Sequence, residues 1–260
     1  MGDVNDVIKG AKRYQGGRVL GARAPWTVEI FEALIPILSY FSIICMDMML
    51  TIWLILFYGS FRPGEVVADK RTNFHKVKTL YGRDIKFESW PEYEFFKIRL
   101  SQYKTKQTAV LSKGGKDIGT WCTVSLASSH KFSVFVKRYL RRRCGNNKNP
   151  TGQKPNKPLF TWPNGMIYIK DDLTKHLRKS LLLLKTHCKK YAKLCIADFN
   201  GHSFRIGAAT LMAAAGVERW VIMILGRWKS LDSILLYPQM DGHQISAFMI
   251  KAERENTKGT

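Results

Sequence analysis

At 260 residues, with 45% hydrophobic and 12% aromatic side chains, the chain holds enough apolar material for a packed core and reads as globular rather than disordered. Forty-two lysines and arginines against 20 acids leave a formal charge of +22, a field that draws polyanions. Nucleic acid therefore leads as partner, ahead of an anionic membrane surface and of a merely soluble basic face.

The excess is concentrated. Residues 131–193 carry 17 basic side chains against Asp171 and Asp172, a net +15. Residues 1–24 are polar and glycine-rich and read as a linker or the tail of something upstream. Met1 to Gln15 lacks the apolar core of a signal peptide. Residues 25–260 are expected to form one domain. Pro25 and Thr27 announce its first helix, with Thr27 as cap, Glu29 and Glu32 near the positive end, and Pro36 kinking or ending it.

Residues 33–61 are strongly apolar, but Asp47 divides them into two uncharged stretches of 14 residues. A spanning helix needs about 20. Two buried helices are expected instead, the second capped by Asp47 and reaching Tyr58, and no membrane partner. Phe95–Leu100 and Thr108–Leu111 are β-rich, with a polar hairpin turn at Ser101–Gln107 between them and Gly114-Gly115 after, which reads as a small antiparallel sheet. A helix is expected from about Ser129 to Arg143, with Phe132, Phe135, Val136 and Tyr139 on one side. Residues 146–157 read as a loop.

Asp171 or Asp172 starts the next helix, striped by Leu173, Leu177, Leu181 and Leu184. His202–Ala215 forms another, closed by Gly216. Glu218–Leu225 forms a short one, closed by Gly226. Ser230 caps a further helix carrying Tyr237, and Ile245, Phe248, Met249 and Ala252 outline an amphipathic helix in the tail. The fold class is α+β, mainly helical, with one small sheet and no internal repeat. The five cysteines, Cys45, Cys122, Cys144, Cys188 and Cys195, are odd in number and lack a CxxC pair, against a disulfide framework and for a reducing compartment. His187, Cys188, Cys195 and His202 match no zinc spacing, so no metal is expected.

Three distant segments carry the chemistry: Phe61-Arg62-Pro63-Gly64-Glu65, Tyr103-Lys104-Thr105, and the run from His202-Ser203-Phe204-Arg205 through Gly226-Arg227-Trp228 to Tyr237. Together they resemble the signature of the tyrosine recombinase and integrase family, which is Arg, Lys, His-x-x-Arg, His or Trp, and Tyr in that order. The wording HSFRIGAAT and LGRWKS is similar to recombinases of DIRS-type retroelements and Cryptons. The resemblance covers about residues 21–255 and implies the tyrosine recombinase catalytic fold, with the small sheet presenting the lysine hairpin.

The resemblance further implies individual roles. Arg62 and Arg205 bind non-bridging oxygens of the scissile phosphate, and Glu65 helps hold the site together. Lys104 protonates the leaving 5′ oxygen, and His202 assists proton movement at the tyrosine. Trp228 takes the place of a His found in many members; its indole N–H can donate to the phosphate but cannot exchange a proton there. Tyr237 is the nucleophile. Pro238, directly after it, disfavours an α conformation at the tyrosine and places it at a helix end or on a loop. Family members also carry a helical DNA-clamping domain ahead of this one.

The physical chemistry runs in parallel. A phosphodiester under attack becomes a pentacoordinate dianion, which two guanidiniums clamp with fixed bidentate geometry. A phenol ionises near pH 10 and needs an acceptor or a cationic field to attack at neutral pH. The phosphotyrosyl link keeps the diester's energy, so no cofactor is needed for rejoining. Double-stranded DNA is the implied substrate. Lys106, Arg141, Arg142, Arg143, Arg227 and Lys229 are candidate backbone contacts. With Lys137 and Arg138, the arginines 141–143 could equally form a nuclear import signal or a solvated face.

The Ile245-Phe248-Met249 helix resembles the family's C-terminal helix that docks into a neighbouring subunit, implying a homo-tetramer on DNA; folding back onto its own core is the alternative. Localisation is expected in the nucleus for a eukaryotic element, otherwise in the cytoplasm or nucleoid. Two other readings stay open: a domesticated, non-catalytic DNA-binding protein, for which residues 202–225 would serve as a helix-turn-helix, and a type IB topoisomerase with the same catalytic logic.

Overall fold

The computed structural model describes residues 24–38, 41–73, 79–90, 93–100, 120–126, 132–144, 158–228 and 250. Helix α1 (Val28–Leu38) opens where Thr27 Oγ1 accepts the Ile30 N–H at 3.4 Å and ends two residues after Pro36. Helix α2 (Ile43–Tyr58) is buried nearly all round from Met46 onward. Its cap is Ser42, whose hydroxyl accepts the Cys45 N–H at 3.4 Å. Asp47, expected as that cap, lies a turn inside the helix instead. The short helix α3 (Pro63–Val66) follows.

Strands β1 (Ile85–Trp90), β2 (Tyr93–Leu100) and β3 (Thr120–Leu126) form one antiparallel sheet in that order. Ile98 faces Ile85 on one side and Cys122 on the other. Phe96, Ile98 and Leu100, two residues apart, bury one face of β2. The run expected at Phe95–Leu100 is thus a strand; its two partners were not foreseen. The link between β2 and β3, with Thr108–Leu111 and the expected lysine turn, lies outside the described residues.

Helix α4 (Ser133–Cys144) packs against α2, and α5 (Lys170–His187) buries Leu173, Leu177, Leu181 and Leu184. Asp172 caps α5: its Oδ2 accepts the Ile169 N–H at 3.1 Å, while Oδ1 receives Arg71 at 2.7 Å. Helices α6 (Gly201–Ala214) and α7 (Arg219–Gly226) complete the described set. Gly216 follows α6 with φ +71, as a helix-closing glycine should. At the end of α7 the left-handed residue is Arg227, φ 53, not the expected Gly226. The proposed helix around Tyr237 falls outside the described residues, and of the one over 245–252 only Ile250, which is helical, is described.

An aromatic cluster locks these elements. Trp26 meets Phe204 at 4.7 Å between ring centroids and Trp53 at 5.6 Å, and Phe31 meets Phe57 and Phe132 at 5.5 Å each. Phe204 and Phe61 are fully buried, and each immediately precedes an arginine of the candidate site. Burying the ring therefore fixes where the guanidinium starts. Gly207 lets α6 lie on the backbone before α1: a Cβ there would stand 1.8 Å from the Trp26 carbonyl oxygen. No helix among the described residues is long and apolar enough to cross a membrane.

Asp47 is 0% exposed and is held across the α2–α4 interface. Arg138 Nε donates to Oδ2 at 2.6 Å, Arg138 Nη2 to Oδ1, and Arg142 Nη1 to Oδ2 at 3.0 Å. The two sides of this pair are unequal, because the arginines can turn to water and the carboxylate cannot. Replacing both Arg138 and Arg142 by alanine is expected to cost about 3–5 kcal/mol in urea unfolding, by stranding a buried charge. Asp47→Leu, which removes that charge, should cost less.

Candidate active site

The site begins where α2 ends. After Gly59 the chain turns through Ser60, whose φ of 48 is left-handed, into buried Phe61. Among the described residues only Ser60, Asn73 and Arg227 are non-glycine residues with positive φ, and two of the three lie here. Arg62 then caps α3. Its backbone N–H donates to Glu65 Oε2 at 2.8 Å and its Nη1 to Glu65 Oε1 at 2.9 Å. Pro63 fits the first helical turn, where no N–H is needed.

Helix α6 supplies the second arginine. Arg205, 4% exposed, donates from Nη1 to the Ser60 carbonyl at 2.8 Å, and its Nη2 is buried without a hydrogen-bond partner among the described residues. Trp228 lies over its guanidinium, 4.3 Å from Arg205 Cζ to the ring centroid. Gly226 allows that placement, since a Cβ there would meet the Trp228 ring at 1.8 Å. His202 sits one turn before Arg205 on the same side of α6 and is exposed; its N–H donates to Asn200 Oδ1 at 2.9 Å.

Arg227, expected among surface cations facing DNA, is 8% exposed and turned inward. Its Nη2 donates to Glu65 Oε2 and to the Ser60 carbonyl, both at 3.1 Å, and its Nη1 to the Gly59 carbonyl at 3.1 Å. Its guanidinium lies over the Phe61 ring at 4.4 Å. Two of the other proposed contacts also have intramolecular work. Arg142 serves Asp47, and Arg143 donates to the carbonyls of Leu159 at 3.0 Å and Pro158 at 2.9 Å. Arg141 is exposed. Lys104, Lys106, Lys229, Tyr237 and the Ile245-Phe248-Met249 segment lie outside the described residues.

Electrostatics follow from this crowding. Burial alone would raise the Glu65 carboxyl, but the Arg227 charge and the N–H and guanidinium of Arg62 outweigh it and hold the pKa below the ordinary carboxylate value. Arg205 is pushed down to about 9, first by burial and then by the charges of Arg62 and Arg227, with Glu65 opposing. It stays cationic at neutral pH. Among the described residues Arg62 and Arg227 pair with Glu65 while Arg205 bonds only the Ser60 carbonyl, a cationic surplus that an anion would neutralise.

One further cation borders this loop and was missed from the sequence. Lys170, first residue of α5, crosses Gly64 so closely that a Cβ there would stand 3.0 Å from its Nζ. A lysine in the first turn opposes the helix dipole, and that misplacement was the available signal. Among the described residues no three His, Cys, Asp or Glu side chains gather as metal ligands, and Cys45, Cys188 and Cys195 are free thiols. No protein-family model matches the chain, and no curated protein matches it in sequence.

Proposed function

We propose that the chain is the catalytic domain of a tyrosine recombinase that cleaves and rejoins double-stranded DNA. The observation that carries this reading is the surplus of positive charge around Glu65 among the described residues, where Arg205 Nη2, beneath Trp228, has no hydrogen-bond partner. Such a site favours the dianionic transition state over the monoanionic diester, because fixed donors gain more as charge develops.

In this mechanism Arg62 and Arg205 hold the non-bridging oxygens. The Tyr237 oxygen attacks phosphorus as its proton moves toward His202, the bond from phosphorus to the 5′ oxygen breaks, and Lys104 gives that oxygen a proton. A 3′-phosphotyrosyl link and a free 5′-hydroxyl result. Attack by a 5′-hydroxyl reverses every step and restores the diester, so no nucleotide cofactor enters. The Trp228 indole screens Arg205 from water and offers an N–H without accepting a proton. Strand exchange requires a tetramer on DNA, for which the Ile245-Phe248-Met249 segment is the proposed docking helix. The proposed location is the nucleus for a eukaryotic element, and the cytoplasm or nucleoid otherwise.

The test is covalent capture. A pool of nicked duplexes of randomised sequence, in which cleavage releases a short 5′-hydroxyl strand and cannot reverse, should yield a protein–DNA adduct that resists denaturation. Peptide mapping should place the DNA on Tyr237. DNA binding without any adduct would give way to the non-catalytic reading, and unselective plasmid relaxation to the topoisomerase.

A further inference from the structure

Arg227 stands where a helix normally ends in glycine. Its backbone is left-handed, with φ 53, and its N–H closes onto the Ile224 carbonyl at 3.0 Å while the Trp228 N–H closes onto Met223 at 3.0 Å. A β-carbon is disfavoured in that conformation, and glycine is the usual occupant. Yet the chain has its glycine one position earlier and an arginine here. A local turn does not account for that choice; the contacts of the side chain do.

Among the described residues the guanidinium donates to the Leu225 carbonyl of its own helix at 3.3 Å, and its other partners lie on one segment, residues 59–65. It spans the carbonyls of Gly59 and Ser60 and the Glu65 carboxylate, with its face on the Phe61 ring. Ser60 is itself left-handed, and its carbonyl also receives Arg205 Nη1 at 2.8 Å. Glu65 in turn receives Arg62 through both backbone and side chain. Strained backbone at both ends of the Arg227–Ser60 hydrogen bond is tolerated only where surrounding structure over-determines it.

We infer that Arg227 is a positioning residue that sets the spacing and orientation of Arg62, Arg205 and Trp228 without touching DNA. Glu65 passes its constraint to Arg62, the Ser60 carbonyl passes it to Arg205, and the left-handed turn lays Trp228 on Arg205. The planar fork is essential to this, because three acceptors in different directions exceed what a lysine ammonium can address at that place. The inference rests on the proposed strand-cleavage function for its catalytic readout, but the geometry of the anion site can be read without it.

The variants Arg227→Lys and Arg227→Gly separate the possibilities. Glycine suits the backbone better than arginine does, so a purely conformational role predicts an Arg227→Gly protein as active as wild type. A positioning role predicts single-turnover cleavage of the nicked duplexes about 10²-fold slower in both variants. Duplex affinity and its salt slope should stay near wild type, and methylguanidinium should restore part of the rate in Arg227→Gly. A second measurement uses no cleavage. Inorganic phosphate should raise the unfolding temperature of wild type and raise it much less in the variants, although all are folded without it.

Wild-type cleavage in either variant, or an unchanged phosphate response, overturns the inference. So does a loss of duplex affinity with a salt slope smaller by about one, since that marks a direct phosphate contact. If wild type forms no adduct, the recombinase reading falls and the phosphate arm decides the positioning role alone. If wild type neither forms an adduct nor responds to phosphate, both fall.

Discussion

Replacing Tyr237 by phenylalanine should abolish covalent capture of DNA, with adduct formation slower by more than about 10³-fold, while duplex affinity measured by anisotropy stays within a few-fold of wild type. The substitution removes one oxygen and keeps the ring, so it subtracts the proposed nucleophile and little else. In the proposed mechanism water is a poor substitute, because it lacks the proximity of an oxygen tethered beside the phosphate. Affinity should persist because it comes from the counterion release that a chain of net charge +22 can drive. A persistent adduct in the variant would show that another side chain attacks and would remove Tyr237 from the mechanism.

Arg205→Ala is expected to slow cleavage by about 10²–10³-fold, the usual cost of removing one donor aimed at developing charge. Arg205→Lys should rescue little of it. The native side chain divides its donors, Nη1 to the Ser60 carbonyl and Nη2 to no partner among the described residues, and an ammonium cannot keep the first while presenting the second at the same distance. Folding should not suffer in proportion. The charge being deleted is 4% exposed and repelled by Arg62 and Arg227.

The same crowding makes an alkaline prediction. With its folded-state value lowered to about 9, Arg205 is charged in both folded and unfolded chains below pH 9, and its burial weighs against folding there. Above pH 9 the unfolded chain binds more protons, so this group's contribution to stability improves as pH rises further. Phosphate affinity runs the other way, falling as the guanidinium loses its proton. Comparing phosphate-induced thermal shifts of wild type and Arg205→Ala between pH 7 and 10 isolates the effect: the difference between them should shrink as pH rises through about 9. A difference that holds constant over that range would show that Arg205 does not titrate there.

Much of the architecture could be read along the chain because its causes are local. The four-residue spacing of Leu173, Leu177, Leu181 and Leu184 describes one face of α5 whatever it packs against. Thr27 caps α1 through a contact three residues away, and Glu65 reaches Arg62 over the same interval. Alternation in Phe96, Ile98 and Leu100 marks β2 for the same reason. Strands β1 and β3 escaped, because Ile85–Trp90 mixes charge into its pattern and Thr120–Leu126 lies far from the strand it pairs with.

Tertiary structure alone decided the residues whose partners are distant. Asp47 has the chemistry of a helix cap, but arginines 91 and 95 residues downstream make a buried position affordable. Arg227 has the look of a surface cation beside Lys229, and the acceptors that draw it inside lie 162 to 168 residues upstream. Desolvating a charge is costly without partners and tolerable with them, so whether such a residue faces water or the interior depends on which groups the fold carries to it. The amino-acid order alone states its charge; the neighbours brought by folding decide its use.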